Sequence, residues 1–117
     1  MDVPIIDVIW NGLSESLKIA AMADAYEMNV APHNFYGHMS TIISAHFSAV
    51  VPNFRIMEID IDSVKWRDEF VTAPPVIENG ELVLPTAPGW GIDIDEAAVR
   101  SRAPTHGTVR GDRQGAH

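Results

Sequence analysis

Val30-Ala31-Pro32-His33-Asn34 is the stretch on which the fold turns. Met28 to Ala31 reads as a short strand closed by Pro32, and the polar segment His33-Asn34-Phe35-Tyr36-Gly37-His38 follows it. Upstream, helix formers run from Glu15 to about Glu27, with Ser14 as N-cap and Glu15 suited to the helix dipole. The apolar face expected of that helix is Leu17, Ala20, Ala21 and Ala25. Before it, Val3 to Ile9 is a near-continuous apolar run, the pattern of a strand buried on both faces, and Asn11-Gly12 marks a turn. Downstream, Met39 to Val50 predicts a second helix in which Ile42, Ile43, His46, Phe47 and Val50 recur at helical spacing. Pro52-Asn53 breaks it, and Ile56 to Ile61 reads as a third strand. Strand, helix, strand, helix, strand, with crossovers of this length, predicts an α/β fold with neighbouring strands parallel and right-handed connections.

Beyond Asp62 the pattern changes. Val76 to Leu84 reads as a hairpin, because Asn79-Gly80 supplies the two positive-φ positions of a type I′ turn. Pro88-Gly89-Trp90-Gly91 is a tight loop, and Asp95 to Val99 has the composition of a short helix. Three regions are expected: a βαβαβ unit over 1–62, a hairpin and extension over 63–99, and a disordered tail over 100–117.

Composition narrows the function classes. The chain has 117 residues, room for one domain, and its 46% hydrophobic and 21% charged content is that of a globular protein. A net charge of −8 is a poor footprint for gripping a nucleic acid. Residues 1–99 hold four basic and fifteen acidic side chains, while residues 100–117 hold four and one. That basic tail is read as a flexible terminus, with an acidic partner as the alternative. No apolar run approaches the roughly 18 residues of a membrane span. No leader is expected from Met1-Asp2-Val3-Pro4, and zero cysteines exclude disulfides and thiolate metal sites, which fits the cytoplasm.

Three side chains stand out by position. Asp7 lies at the end of the first strand, His33 just past the second and Glu58 within the third, at separations of 26 and 25 residues. One strand-helix unit between each pair brings all three to the same carboxyl edge of adjacent parallel strands, where ligands bind. An imidazole beside a carboxylate is a workable acid/base pair. Each also has a structural reading: Asp7 as cap of the turn at Asn11-Gly12, His33 as an ordinary loop histidine, Glu58 as a buried carboxylate needing a partner. Asp60 and Asp62 mark where the strand leaves the core. His46 reads as a core or interhelical residue, and Trp10 and Trp90 as packing residues. His33, His38 and Glu58 also have the composition of a two-histidine, one-carboxylate metal site. Phosphate-cradling glycine loops, nucleophile elbows and paired zinc histidines are absent from the sequence.

Taken in order, these motifs resemble the mandelate racemase/muconate lactonizing enzyme-like family of the enolase superfamily. The likeness runs over residues 3–99. It rests on Asp7 ahead of Asn11-Gly12-Leu13-Ser14, the helix from Leu17 to Tyr26, and Val30-Ala31-Pro32-His33-Asn34. Ala45-His46-Phe47 before Pro52-Asn53, Met57-Glu58, the Glu78 to Leu82 hairpin and Pro85 to Gly91 complete it. The resemblance implies the last three strands of a (β/α)8 barrel enzyme that uses Mg²⁺ to abstract the proton α to a carboxylate. It makes His33 the base or acid, Asp7 its partner and Glu58 a contact of the substrate carboxylate, with Asn34 a second substrate-binding residue. The family's glycine pair is Asn11-Gly12 here, and no lysine of the cyclising relatives stands near Asp7.

A whole barrel takes about 250 residues. The chain is therefore expected to be a C-terminal portion without its own metal ligands, inactive alone and exposing apolar surface. It would need the missing N-terminal part or form a homo-oligomer. The expected chemistry is dehydration of a sugar acid. The alternatives are racemisation or epimerisation of a 2-hydroxy acid, a non-catalytic interaction module, and a compact metal-binding domain. Nucleic acid and membrane are not expected partners.

Overall fold

The computed structural model describes residues 2–61 and 66–102. Strand β1 (Ile5–Ile6) pairs in parallel with β2 (Ala31–Pro32), Ile5 opposite Ala31 and Ile6 opposite Pro32. The Ala31 N–H donates to the Pro4 carbonyl at 3.0 Å and the His33 N–H to the Ile6 carbonyl at 2.9 Å. On the other side of β2 a parallel bridge joins Val30 to Phe54. Three successive segments thus run side by side, in chain order and in one direction.

The third segment is less regular than a strand over Ile56 to Ile61. The Arg55 N–H reaches the Val30 carbonyl at 3.0 Å, and the next bond is from the Glu58 N–H to the Pro32 carbonyl at 3.2 Å. Three residues on one side span two on the other. Pro32 has no N–H to give this neighbour, so the ladder loses a rung and the extra residue bulges. Pairing is centred on Phe54, and 55–61 forms no regular strand. The second strand, in turn, includes Pro32 instead of ending before it.

The first strand stops at Ile6, short of Ile9, because Asp7 turns the chain. Its side chain accepts from the Ile9 and Trp10 amides at 3.1 and 2.9 Å and caps helix α1 (Val8–Asn11). Gly12, at φ 78°, separates α1 from α2 (Leu13–Ala25) and takes the N-cap place expected of Ser14, which lies inside the helix. The buried face of α2 is Ser16, Ala20 and Ala23, whereas Leu17, Ala21 and Ala25 are exposed. Small residues let this helix sit close to its neighbours, and its larger apolar side chains Leu13, Ile19 and Met22 face outward. Trp10, expected to pack, is 80% exposed.

Helix α3 (His38–Val50) is buried nearly all round. Ile42 and Phe47 follow the expected stripe, but Val50 is exposed and Ile43 and His46 are half-buried. One core cluster gathers Phe47 with Ile6, Val8, Ala20, Ala23, Val30 and Val51, and a second gathers Ile42 with Val71 and Ile92. Phe47 is wholly buried, and truncating such a residue to alanine costs about 3–5 kcal/mol. Asn53 fastens the layers: its side-chain amide donates to the carbonyls of Ala20 and Met28 at 3.1 and 2.9 Å.

A 3₁₀ turn (Arg67–Phe70) precedes the hairpin of β3 (Val76–Glu78) and β4 (Glu81–Val83), with Ile77 opposite Leu82. Asn79 and Gly80 take φ 53° and 79°, the two left-handed positions of a type I′ turn. Helix α4 (Glu96–Ser101) is capped by Asp95 and runs into the stretch read as tail, where Arg102 pairs with Glu69 at 2.8 Å. The expected boundary at 62–63, Asp62 and residues 103–117 lie outside the described residues. Among the described residues, no helix is long and apolar enough to cross a membrane.

Candidate active site

Asp7, His33 and Glu58 meet at the carboxyl ends of the three parallel segments. His33 Nδ1 lies 2.5 Å from Glu58 Oε2, and the same oxygen accepts the Asn34 backbone N–H at 3.1 Å. An ionised carboxylate only accepts, so with Glu58 in that form Nδ1 would be the donor of this contact. His33 Nε2 is 4.0 Å from Asp7 Oδ2, beyond hydrogen-bond reach but close enough for charge to act. The His33 and Glu58 side chains are 39% and 49% exposed, so Glu58 is not the buried carboxylate its apolar neighbours suggest.

Asp7 serves both of the purposes the sequence left open, as helix cap and as site carboxylate. Oδ1 takes the Ile9 and Trp10 amides, while Oδ2 accepts the Tyr36 hydroxyl at 2.5 Å. Burial alone would raise the Asp7 carboxyl. The Tyr36 and backbone hydrogen bonds and the charge of His33 outweigh it and hold the group below the usual carboxylate range. The Tyr36 phenol is raised, first by its bond to Asp7, then by burial and by the Asp7 charge, with the Trp10 side chain acting in the opposite sense. Tyr36 also meets the His33 ring edge-on, with centroids 5.7 Å apart. The sequence reading passed over Tyr36. Its one signal was a place three residues beyond His33 in the link between strand and helix.

The other candidates go elsewhere. Asn34 is wholly buried, its side chain bonded to Thr41 at 2.9 Å and Ser40 at 3.0 Å, so it offers the site its backbone N–H. His38 Nε2 contacts Asp68 and ties α3 to the 3₁₀ turn. It does not join His33 and Glu58, and no three His, Asp or Glu side chains among the described residues are placed to hold a metal ion. His46 Nε2 contacts the Trp90 carbonyl at 3.0 Å, with the rings 5.6 Å apart, and fastens α3 to the loop at Gly91.

A cavity of about 280 Å³ lined by Ile5, Pro32, Ile56 and Met57 carries His33 and Glu58 on its wall. A larger cleft of about 500 Å³ lies between α3, the 54–59 segment and the hairpin. Among the described residues its charged lining is Arg55 and Glu81, without an imidazole, whereas the smaller cavity carries both His33 and Glu58. What the arrangement does chemically is hold one imidazole with a fixed donor atom, a second nitrogen beside a carboxylate, and an apolar wall below.

The family model described as enolase C-terminal domain-like matches residues 1–98. A D-xylonate dehydratase of Haloferax volcanii is 34% identical over 90 residues, 77% of this chain and 22% of that protein. A Burkholderia xenovorans protein provisionally named an L-alanine-DL-glutamate epimerase, solved with magnesium and fumarate, is 56% identical at a TM-score of 0.86, over 91% of this chain and 26% of its own. An Agrobacterium tumefaciens enolase of the mandelate racemase subgroup is 34% identical at a TM-score of 0.73, over 85% of this chain and 27% of its own. The chain spans about a quarter of the length of these relatives. By the order of its parallel segments, the match of its residues and its likeness to these structures, the chain belongs to the mandelate racemase/muconate lactonizing enzyme-like family of the enolase superfamily, as a C-terminal α/β portion.

Proposed function

We propose that this chain supplies the acid/base edge of an enzyme that moves the proton next to a carboxylate, in the dehydration of an aldonate-type sugar acid. The observation that carries the reading is the clamp on His33: Nδ1 is committed to Glu58 at 2.5 Å, which leaves Nε2 as the working atom. Neutral Nε2 takes the proton from carbon. The imidazolium then lies between two carboxylates, which stabilise it. The same proton leaves with the departing hydroxyl as water, so base and acid are one residue. Asp7 acts at 4.0 Å by its charge, and Glu58 holds the ring and contacts the substrate through its other oxygen. Asn34 acts through the amide that fixes Glu58.

The three parallel segments are read as the closing strands of an eight-stranded barrel, with 1–62 as that unit, 63–99 as its extension and the cytoplasm as its place. Mg²⁺ supplies charge stabilisation in the family's chemistry. The described residues do not fit it by themselves, since no three His, Asp or Glu side chains among them are placed to hold a metal ion. No step is assigned to it, and the chain alone is expected to be inactive.

A second reading, epimerisation or racemisation, draws on the 56% identity to the Burkholderia protein. It needs a second base on the opposite face of the substrate carbon. One chimera tests both, with this chain replacing the corresponding quarter of that Burkholderia protein, assayed in D₂O with Mg²⁺ on sugar acids and dipeptides. Loss of water supports dehydration, and deuterium in unchanged or inverted substrate supports epimerisation. His33→Asn should lower either by roughly 10²–10⁴-fold. A folded, metal-loaded chimera that His33→Asn leaves unaltered refutes the acid/base reading and favours a non-catalytic module.

A further inference from the structure

A neutral imidazole has one N–H, and two carboxylates flank His33. Glu58 holds Nδ1 at 2.5 Å, whereas Asp7 Oδ2 stops 4.0 Å from Nε2. The reason lies in the donors Asp7 already has. Two backbone amides occupy Oδ1, and the Tyr36 hydroxyl occupies Oδ2 at 2.5 Å, a charge-assisted bond. Tyr36 comes from the same short link as His33 and packs its ring edge-on against the imidazole, at an interplanar angle of 79°. One side chain therefore touches both members of the pair.

We propose that Tyr36 is a positioning residue that sets the tautomer of His33: by holding Asp7 Oδ2 it keeps that carboxylate off Nε2, so the ring donates through Nδ1 to Glu58 and leaves Nε2 bare. A bare Nε2 is what accepting a proton from carbon requires, so the inference deepens the reading of His33 as proton carrier. The direction of both ionisations agrees with it, Asp7 held low and the phenol held high. Removing the hydroxyl frees Oδ2 to compete for the imidazole proton.

The test uses the full chain labelled with ¹⁵N, with the His33 ring signals assigned by their loss in His33→Asn. Above neutral pH, the unmodified chain should show a pyrrole-type Nδ1 and a pyridine-type Nε2. Tyr36→Phe should shift the tautomer ratio towards the Nε2–H form by about tenfold or more, the size of one charge-assisted hydrogen bond changing hands. A ratio unmoved in folded Tyr36→Phe overturns the proposal, as does an unmodified chain already protonated at Nε2. Should Tyr36→Phe not fold, the unmodified chain still decides. Its Tyr36 phenol must titrate above the ordinary tyrosine value of about 10, and titration at that value overturns the proposal. These readouts need no turnover, so their failure is separable from that of the chimera.

Discussion

His33 and Glu58 meet at 2.5 Å across a separation of 25 residues, and the residue after His33 grips the same oxygen through its amide at 3.1 Å. Two consecutive positions at the end of one strand thus hold a carboxylate brought by the next. The arrangement exists because the segments run parallel: each crossover returns the chain to the same edge.

Replacing Glu58 by Gln keeps an acceptor for the Asn34 amide and withdraws the charge that faces the imidazole. Proton transfer in the chimera should fall by roughly 10²–10⁴-fold. Thermal unfolding of the chain should move little, because the Glu58 side chain is about half exposed. Measuring kcat and the unfolding midpoint together separates the two effects.

Asn34→Ala should act the other way, on stability first. The side chain is fully buried and bonded to Ser40 and Thr41, and both would lose a buried partner. The expected cost is about 1–3 kcal/mol, read from urea unfolding.

Asp7 and Tyr36 give the chain a stability profile with two sensitive ends. Asp7 is depressed in the folded state, so its contribution is present above the unfolded value, about 3.9, and is lost as pH falls through the folded one. Tyr36 is raised, so its contribution is full below the unfolded value, about 10, and is lost as pH rises through the folded one. Tyr36→Phe should flatten the alkaline limb and also weaken the acid one. Asp7→Ala should remove both and cost about 1 kcal/mol more through the lost helix cap. Chemical unfolding across pH checks each limb.

Gly91 sits at φ 82°, and a Cβ there would lie 2.3 Å from Pro85 Cβ. Gly91→Ala should therefore destabilise the chain by at least about 1–3 kcal/mol. Because His46 is bonded to the neighbouring Trp90 carbonyl, its ring signals in NMR should shift as well.

Ile5, Trp10, Met22 and Tyr26 are each more than two-thirds exposed. Where such side chains form one contiguous patch, that patch is a contact site. Size-exclusion chromatography should show concentration-dependent association of the chain, weakened by Trp10→Ser with Met22→Gln.

How much was legible in the sequence differs by element, for physical reasons. The spacing of Asp7, His33 and Glu58 follows from crossover length, so their convergence was readable before any coordinates. The turn at Asn79-Gly80 was readable because only certain residues adopt its backbone angles. The face of α2 was not, because hydrophobicity favours Leu17 while close packing selects Ser16 and Ala20. Nor was the irregular third segment, whose cause is a hydrogen missing from Pro32 on a different strand. Tyr36 escaped because a loop residue has no periodicity, and its role depends on where another segment ends.

The link between β2 and α3 supplies the imidazole, the amide that steadies Glu58 and the phenol that occupies Asp7, within four residues from His33 to Tyr36. Such a cassette is transplantable. On the proposed reading, exchanging the other positions between homologues while keeping the buried Asn34 would trade proton-handling character and spare the underlying sheet and its packing, a small change through which reaction specificity could drift in evolution or be redirected by design.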